Sequence, residues 1–445
     1  MSSASPTAEE CDVAVIGGGP GGSTAAALLA QRGYRVIALE KAHHPRFHIG
    51  ESLLPMNLPV FDRLGVAEKV RALGVRKIGA DFEADNERGY STYAFARALG
   101  KSPPHAYQVW RQDFDAMLFA NARSCGADAR EGHEVTRCEQ LGPRESCLSV
   151  HAEDGRDYTI RARYVVDASG RDTFLGAKKK MRRKNPLHQS AAIFGHFRGA
   201  ETRPGDDAGN ISIYGFEHGW MWMIPLPEGV MSVGAVCWPD YLKQRKGRTA
   251  DFLLETLKQS PGLWSRMHNA QLIGDDVRVT GNYSYDSRRM GGPGWIMIGD
   301  AFAFLDPVFS SGVFLAMSGA EQATDVVDGA LREPRRERAL QRRLEQRMRA
   351  GMERLSFFIY RFNGPVMRQM FRAPRNIWQL EQGVISMLAG DLFDTSAVLW
   401  RLRIFKIIYA IRNLGQWRRA AVAHAYRMAQ ARARFTGGTT PLDGA

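Results

Sequence analysis

The chain has 445 residues, of which 44% are hydrophobic, and a net charge of +13 at pH 7, which indicates a globular protein of two or three domains. It contains no long uncharged apolar run typical of a membrane-spanning helix, and its N-terminus lacks the basic and apolar regions of a signal peptide. Its five cysteines form no CxxC pair, which argues against a disulfide framework and a structural zinc site, so we expect a cytoplasmic protein without a bound metal.

The first predicted elements form one βαβ unit over residues 11–40. "DVAVIG" is typical of a buried strand, "PGGSTAAALLAQRG" of a helix of small residues, and "YRVIALE" of a second strand that ends at Glu40. Between strand and helix, Gly17, Gly19 and Gly22 have GxGxxG spacing, which lets a pyrophosphate approach the helix N-terminus, while Glu40 can accept hydrogen bonds from ribose hydroxyls. A glycine-rich turn without a ligand is the alternative, and the adjoining strand, helix and acidic residue disfavour it.

Later segments add to this domain and predict a second one. Residues 158–170 and 294–307, "YTIRARYVVDASG" and "GWIMIGDAFAFLDP", resemble further strands of the first domain. Between them, over roughly 185–290, alternating segments such as "SAAIFGHFRG" and "GVMSVGAVCW" predict an antiparallel sheet. From about residue 313 the pattern is helical. The predicted fold class is therefore α/β, a Rossmann-like domain with an interleaved antiparallel-sheet domain and a helical C-terminal region.

The positive charge is concentrated at the C-terminal end. Residues 335–445 hold 21 Lys and Arg against 7 Asp and Glu, whereas residues 1–334 hold 39 against 40. Apolar residues recur there at helical spacing, namely Trp400, Ile404, Ile407, Ile408, Ile411 and Leu414. They predict a helix packed over the substrate domain, or alternatively a basic face, with Arg401, Arg403 and Lys406, for an acidic carrier protein or an anionic membrane. No motif for nucleic-acid binding accompanies the charge.

Three motifs in order resemble the aromatic-hydroxylase superfamily of FAD enzymes. "GWIMIGDAFAFLDP" is similar to its second FAD fingerprint, in which the GD pair, here Gly299 and Asp300, contacts the ribityl chain. "VWRQDFDAML" places Arg111 at the FAD-contacting arginine, and "VVDASGR" matches a further hallmark. The resemblance implies FAD as cofactor and a FAD-binding domain of the aromatic-hydroxylase type. Asp300 as a helix cap and Arg111 as a surface ion pair are the structural alternatives.

Two further motifs resemble the flavin-dependent halogenases of the phenol and pyrrole type within that superfamily. "HGWMWMIPLP" reproduces their WxWxIP motif, which implies a barrier beside the flavin formed by Trp220, Trp222, Ile224 and Pro225. "FLDPVFSSG" matches FxxPxxSxG, which implies a halide site at Ser310, Ser311 and Gly312, where a glycine turn at a helix start offers free N–H donors. A buried core strand and a plain helix cap are the structural alternatives.

The same resemblance assigns the remaining site residues. Lys77, in "GVRKIGADF", stands where the family keeps its catalytic lysine, although a solvated surface lysine is the alternative. "FHIGESLLP" is similar to the segment that lies against the flavin. The cofactor contacts implied beyond those above are Lys41, Gly50, Glu51, Ser52, Gly312 and Val313. For the family's carboxylate partner of the lysine we identify no counterpart, because Glu51 and Asp81 are as readily structural.

The resemblance implies an enzyme that uses reduced FAD, oxygen and chloride or bromide to make hypohalous acid, which Lys77 relays to an electron-rich aromatic, free or carrier-tethered. A separate flavin reductase is expected, because the sequence has no second dinucleotide fingerprint. A flavin monooxygenase, a prenyl-chain reductase and a non-enzymatic flavoprotein are the alternatives. The expected parts are a FAD-binding domain (1–75, 106–184, 291–334), a substrate domain (76–105, 185–290) and a basic helical region (335–445).

Overall fold

The predicted βαβ unit begins the fold in the computed structural model, which describes residues 8–84, 89–274, 277–281, 284–393 and 396–432. Strand Glu9–Ile16 pairs in parallel with Val36–Leu39 on one side and with Asp157–Asp167 on the other. The last four residues of Glu9–Ile16 are all buried, as expected for a parallel strand inside a sheet. The first strand therefore lies at the centre of the dinucleotide-binding half of the molecule.

The first sheet combines parallel and antiparallel pairs. Its main path runs in space through Gly291–Gly292, Trp295–Met297, Asp157–Asp167, Glu9–Ile16, Val36–Leu39 and Asp128–Arg130. The antiparallel strands Glu145–Ala152 and His133–Gly142 attach to the first half of Asp157–Asp167. Both later segments that the sequence assigns to this domain thus contribute a strand to its sheet.

The antiparallel sheet predicted over roughly 185–290 is present, and it also includes two strands from before residue 100. Its spatial order is Gln271–Leu272, Ala191–Arg198, Val230–Cys237, Gly219–Leu226, Ile211–Phe216, Gly79–Glu83 and Tyr90–Ala94, with Arg278–Thr280 beside Ala191–Arg198. One pair, Ile211–Phe216 with Gly79–Glu83, is parallel. The chain must therefore cross between the two sheets before residue 100, so the domains are interleaved.

Strand Gly219–Leu226 is buried along its whole length and separates two hydrophobic cores. Trp220, Trp222 and Ile224 belong to the large core that is shared with the first sheet. Met221 and Met223 point into a smaller core on the other face. The alternation of side chains along a strand, with a period of two, produces this division.

Helices and two small sheets complete the described fold. The small sheets consist of Arg182–Lys184, Tyr285–Ser287 and Ala303–Phe304, and of Gly74–Lys77 and Ala106–Val109. The α-helices are Pro20–Gln31, Leu58–Leu64, Ala67–Leu73, Arg111–Ser124, Phe174–Lys178, Pro239–Leu242, Thr249–Leu257, Pro261–Trp264, Gly312–Arg332, Glu337–Ile359, Pro365–Arg372, Leu380–Leu388, Ser396–Gly415 and Trp417–Arg432. Across the described ranges, none of these helices combines the length and apolar character needed to cross a bilayer.

The predicted helical C-terminal region is confirmed, and it packs on both sheets. Gln341 donates to the Tyr164 hydroxyl of the first sheet at 2.7 Å. Ser91 of the second sheet donates to the carbonyl of Arg372 at 2.7 Å. Helices after residue 335 therefore join the two halves of the molecule. The residue boundaries given above for its three parts stay a prediction.

Helix Ser396–Gly415 does not pack through the apolar face that the sequence suggests. The structure buries Val398, Leu402 and Phe405, which lie on the opposite side. The large apolar residues of the expected packing face are exposed, namely Trp400, Ile407, Ile411 and Leu414. The helix has two apolar faces, and only one of them can rest on the core.

The register of the second sheet places Gly234 opposite Trp222, and this yields a stability prediction. A Cβ at Gly234 would lie 2.4 Å from Cβ of Phe194 and 2.6 Å from the Trp222 ring, so Gly234→Ala must displace the indole. We expect a loss of about 1–3 kcal/mol in the free energy of unfolding, measured by urea denaturation. The control is Gly142→Ala, whose Cβ would lie 4.0 Å from its nearest neighbour. Equal losses for both variants would contradict this packing argument.

Candidate active site

A tight glycine turn follows the first strand. Gly17 has a φ of +102°, and a Cβ there would lie 2.5 Å from the Ala168 carbonyl oxygen. A Cβ on Gly22 would lie 1.9 Å from the Gly17 carbonyl oxygen. These two positions therefore admit only glycine without a backbone shift. Helix Pro20–Gln31 starts directly after the turn at Gly19, with no side-chain cap on its first N–H groups.

The turn opens into a cavity of about 780 Å³, which lies within the range of cofactor sites. Its lining contains most of the residues that the sequence assigns to cofactor, halide and barrier: Gly17, Gly19, Glu40, Lys41, Gly50, Glu51, Ser52, Arg111, Trp220, Trp222, Ile224, Asp300, Ser310, Gly312 and Val313. Gly22, Lys77, Pro225 and Ser311 are outside this lining. The fold thus brings segments from both sheets to one cavity.

Glu40 is tied to the glycine turn. Its carboxylate accepts from the backbone N–H of Gly18 at 2.7 Å and from that of Ala42 at 3.0 Å. Arg46 donates to the same carboxylate at 3.2 Å. These bonds hold the acidic side chain at the cavity wall. Lys41, the next residue, forms an ion pair with Asp172 at 2.8 Å at the rim.

Arg111 makes a buried ion pair, and not the surface pair that was the alternative. Its Nε and Nη2 atoms donate to the two carboxylate oxygens of Asp115 at 2.9 and 3.0 Å. Its Nη1 donates to the carbonyl of Ile49 at 2.6 Å. The guanidinium therefore fixes the segment that contains Gly50, Glu51 and Ser52 against the cavity.

Asp300 follows strand Trp295–Met297 and lines the opposite part of the cavity. It stands inside the short 3-10 helix Gly299–Ala301 and is not the N-cap residue of any α-helix in the described chain. Burial raises the pKa of its carboxyl to about 6, and the guanidinium groups of Arg171 and Arg111 offset part of that effect. With this pKa the carboxyl is mostly ionised at pH 7, and its oxygens can accept hydrogen bonds from hydroxyl groups.

The cavity is suited to FAD on the evidence of its own atoms. The uncapped N-terminus of helix Pro20–Gln31 offers N–H donors and a positive dipole end to a pyrophosphate. Glu40 and Asp300 contribute carboxyl acceptors for sugar hydroxyls to the cavity lining. A Cβ on Gly19, at the start of the helix, would meet only Arg46 within 4 Å, so the helix start is open to a phosphate.

Lys77 lies at the end of strand Gly74–Lys77 and is 1% exposed. Its Nζ donates to the Ser52 hydroxyl at 2.8 Å and to the Leu53 carbonyl at 3.2 Å. The ring of Phe95 lies 5.4 Å from Nζ. Burial lowers the pKa of this amine to about 7. Because Ser52 lines the cavity and Lys77 does not, the amine stands one side chain behind the cavity wall.

Neither carboxylate near Lys77 in sequence is placed to pair with it. Glu51 bonds instead to His196, with 2.6 Å between its Oε1 and the Nε2 of the imidazole. Asp81 accepts from Thr92 at 2.7 Å and from Arg203 at 3.2 Å. The structural interpretation of Asp81 thus gains support, and Glu51 belongs to a carboxylate–imidazole pair beside the cavity.

The turn before helix Gly312–Arg332 is held by Asp306. One carboxylate oxygen of Asp306 accepts from the Trp220 indole N–H and from the backbone N–H of Val308, both at 3.3 Å. The other oxygen lies 2.8 Å from Nε2 of His188 and accepts from Ser190 at 2.8 Å. Asp306 therefore joins the barrier strand to the turn.

The turn itself leaves a helix start open. Ser310 adopts a left-handed conformation with a φ of +55°. Ser311 is the N-cap residue of helix Gly312–Arg332, but its side chain accepts no bond from the helix, and the first turn has no acidic residue. A Cβ on Gly312 would meet no atom within 4 Å. Such a terminus can hold a small anion through its backbone N–H groups.

Comparison with known proteins agrees with this geometry. The family described as FAD binding domain matches residues 10–356. A tryptophan 2-halogenase of Chondromyces crocatus is 36% identical over 313 residues, which are 69% of this chain and 59% of that protein. A 1H-pyrrole-2-carbonyl peptidyl-carrier protein chlorinase of Pseudomonas fluorescens is 30% identical over 432 residues, 90% of this chain and 94% of the relative.

The chain belongs to the flavin-dependent halogenases, and FAD is its cofactor. The solved structure of the myxobacterial chondrochloren halogenase has the same architecture, with a TM-score of 0.74 and 29% identity. That alignment covers 95% of this chain and 97% of the other. The aromatic-hydroxylase type of FAD-binding fold predicted from the motifs is thus confirmed.

Sequence reasoning missed three residues of this halogenase site. Asp306 stands inside the FxxPxxSxG segment, where its position before a proline was a signal that could have been used. His188 and His196 carry no local signal, because their carboxylate partners are 118 and 145 residues away in the chain. Only the folded chain brings these pairs together.

The buried hydrogen bonds of Asp306 lead us to predict a large loss of stability when this residue is replaced. Asp306→Ala leaves buried donors of Trp220, His188 and Ser190 without an acceptor, so we expect unfolding to become easier by about 3–5 kcal/mol. Asp306→Asn keeps one carbonyl acceptor and should lose less. Denaturant unfolding of the apoprotein measures both. Asp325→Ala, which removes an exposed partner of Arg32, should change stability by less than about 1 kcal/mol. An equally small change in the free energy of unfolding for Asp306→Ala would show that the hydrogen bonds of Asp306 do not hold the turn.

Proposed function

We propose that this protein uses reduced FAD, oxygen and chloride or bromide to make hypohalous acid, and that Lys77 relays the halogen to an electron-rich, phenol- or pyrrole-like aromatic in secondary metabolism. The observation that carries the proposal is the buried Lys77 amine, one side chain behind a FAD cavity. Reduced FAD comes from a separate flavin reductase, since the sequence contains one dinucleotide fingerprint.

Different residues of the chain bind different parts of FAD. The Gly17–Gly22 turn and the helix after it hold the pyrophosphate, Glu40 accepts from the ribose, and Asp300 accepts from the ribityl chain. Arg111 positions the 47–52 segment against the flavin through its bond to Ile49. When bound, reduced FAD would supply the two electrons that bring oxygen to the peroxide level, the oxidant that converts halide to hypohalous acid.

The halide and barrier residues keep this oxidation away from the organic substrate. The N–H groups at Ser311 and Gly312 hold chloride or bromide at the open helix start, with Ser310 setting the turn. Trp220, Trp222 and Ile224 line the cavity as an aromatic wall, and Pro225 continues their strand. A closed wall excludes the organic substrate and retains the oxidant.

Lys77 is suited to receive hypohalous acid. Its lowered pKa leaves a large neutral fraction near pH 7, and a neutral amine is nucleophilic. Attack on the halogen forms an N–X bond, breaks the O–X bond and releases water with one amine proton. The N–X group then transfers its halogen to the aromatic carbon, and the aromatic proton returns to the amine. Polarisation of hypohalous acid by hydrogen bonding to Lys77 is the non-covalent variant of the same role.

The substrate is proposed to be an aromatic acyl group on a carrier protein. Two relatives of this chain are named for such substrates, the chlorinase above and a 1H-pyrrole-2-carbonyl peptidyl-carrier protein brominase of Pseudoalteromonas luteoviolacea, 32% identical over 332 residues. The tryptophan 2-halogenase is named for tryptophan, and its alignment spans only 59% of that protein. The tethered substrate is therefore the first to test.

The test combines the protein with a flavin reductase, FAD, oxygen and bromide. Pyrrolyl and hydroxybenzoyl groups are supplied on a carrier protein and as free acids, and products are identified by mass spectrometry. We expect halogenated carrier-bound product that requires halide. Oxygenated product in the absence of halide would identify a monooxygenase instead, and reduction of a prenyl chain would identify a reductase.

We predict that replacement of Lys77 lowers halogenation activity and raises the free energy of unfolding. Lys77→Met should lower halogenation at least roughly 100-fold, with unchanged FAD affinity and halide oxidation, because only the relay is removed. The exposed Lys69→Met is the matched control and should leave halogenation intact. Loss of FAD binding in Lys77→Met would show that the lysine is structural.

The lowered pKa of Lys77 also predicts a pH dependence. Halogenation should rise with pH up to about 7, where the neutral amine becomes the main form, and level off above it. The pKa of the amine is 10.5 in the unfolded chain and about 7 in the folded protein. Burial of the cation therefore lowers the free energy of unfolding by its full amount below pH 7, and this loss shrinks as the pH rises towards 10.5. Lys77→Met should therefore stabilise more at pH 6 than at pH 10, by up to about 5 kcal/mol, in denaturant unfolding. An equal change at both values would contradict the buried amine.

A further inference from the structure

The last two helices present a large apolar surface that the described part of the chain does not cover. We define the C-terminal face as the exposed side chains of helices Ser396–Gly415 and Trp417–Arg432. Its large apolar members are 40–74% exposed: Trp400, Ile407, Ile411, Leu414, Trp417, Val422 and Tyr426. So many exposed large apolar side chains on two consecutive helices are unusual for a protein surface and indicate an interaction site.

The exposed side chains of the first of these helices lie along one line. Positions 400, 407, 411 and 414 fall on the same side of an α-helix, while the opposite side packs on the core. Trp378 extends the surface, since it is 66% exposed and its carbonyl accepts from Arg401 at 3.2 Å. An apolar helix side that residues 8–432, as far as they are described, leave uncovered calls for a partner.

The charges around this face have one sign. Residues 396–432 contain eight Arg and Lys and no Asp or Glu. Arg403, Arg418 and Arg419 are exposed beside the apolar residues. Arg401 instead binds backbone and Gln379, and Lys406 lies over the Phe357 ring, so neither is freely available. The partner must therefore offer both apolar contact and negative charge.

A second copy of this chain does not meet that requirement, because two such faces would bring like charges together. A bilayer of anionic lipids does. Trp378, Trp400 and Trp417 supply exposed indoles, the side chains that prefer the membrane–water interface. Aliphatic residues that project from the outside of a helix, with arginines around them, are the pattern of helices that lie in the plane of that interface.

We propose that the C-terminal face binds the surface of an anionic phospholipid bilayer, with Ile407, Ile411 and Leu414 entering the acyl-chain boundary and the arginines meeting the headgroups. This contact is independent of the proposed reaction. The structure places the face on helices that follow the FAD-binding family match at residues 10–356, so membrane contact and cofactor binding use different parts of the chain.

Vesicle sedimentation of the purified full-length protein tests the proposal. We expect at least roughly tenfold stronger binding to vesicles of phosphatidylcholine with phosphatidylglycerol than to phosphatidylcholine alone, and a decrease with added salt. Tryptophan emission should shift to shorter wavelength on binding. Sedimentation that does not depend on the anionic lipid, or no sedimentation at low salt, would overturn it.

Two variants and a matched control locate the contact. Ile407→Ser with Ile411→Ser and Leu414→Ser should lower vesicle binding at least roughly tenfold, and Arg403→Glu with Arg418→Glu and Arg419→Glu should abolish the preference for anionic lipid. The control replaces exposed apolar residues elsewhere, Leu141→Ser with Leu187→Ser and Ile273→Ser, and should bind as the unchanged protein does. Circular dichroism verifies that each variant is folded.

Three results would contradict a membrane role for this face. The first is vesicle binding that survives the serine variant. The second is a dimer in solution that only the serine variant dissociates, which would assign the face to a second copy. The third is an acidic carrier protein that binds the unchanged chain, but not the arginine variant, while vesicles bind neither.

Discussion

The hydrogen bonds of the buried Asp306 carboxyl group are the interaction on which the site depends. A carboxyl group that is 2% exposed needs hydrogen-bond partners inside the protein, and here the partners come from separate parts of the chain. Trp220 belongs to the barrier strand, Val308 to the turn, and His188 and Ser190 to the segment that enters strand Ala191–Arg198. Satisfying one carboxylate therefore fixes the barrier, the turn and the second sheet relative to one another.

Lys77 is the buried basic counterpart of Asp306, and its hydrogen-bond partners are of another kind. It is a buried cation-forming group, and a hydroxyl and a carbonyl are its hydrogen-bond acceptors where an ion pair would have a carboxylate. Burial lowers the pKa of the amine, and none of its hydrogen-bond partners in the described chain is a carboxylate that would offset this effect. The same environment that costs folding energy thus yields a neutral amine, which is the form that the proposed relay requires.

The C-terminal region packs behind the site and has two distinct sides. Phe362 and Phe371 pack with Phe82, Tyr93 and Phe309, with ring centroids 4.8–5.9 Å apart. Phe309 belongs to the turn before helix Gly312–Arg332, so residues beyond 335 support the proposed halide site from behind. On the outer side of the last helices, Ile407, Ile411 and Leu414 stay exposed within the described ranges, although Tyr426 packs against the Trp238 ring with 6.4 Å between the centroids. Support of the site and contact with a partner are therefore separate properties of one region.

The sequence by itself determined the parts that depend on local order: the glycine turn, the strand and helix around it, the acidic residue at Glu40, and the alternation of Trp and Met along Gly219–Leu226. These follow from backbone sterics and from side-chain periods of 2 and 3.6 residues. Only the tertiary structure decided which groups meet. It paired Glu51 with His196 across 145 residues, placed Lys77 behind Ser52, and chose which apolar side of Ser396–Gly415 is covered. These outcomes depend on long-range packing. Two apolar sides of one helix, or two carboxylates near one lysine, are chemically alike, and they differ only in the residues that the fold brings near them.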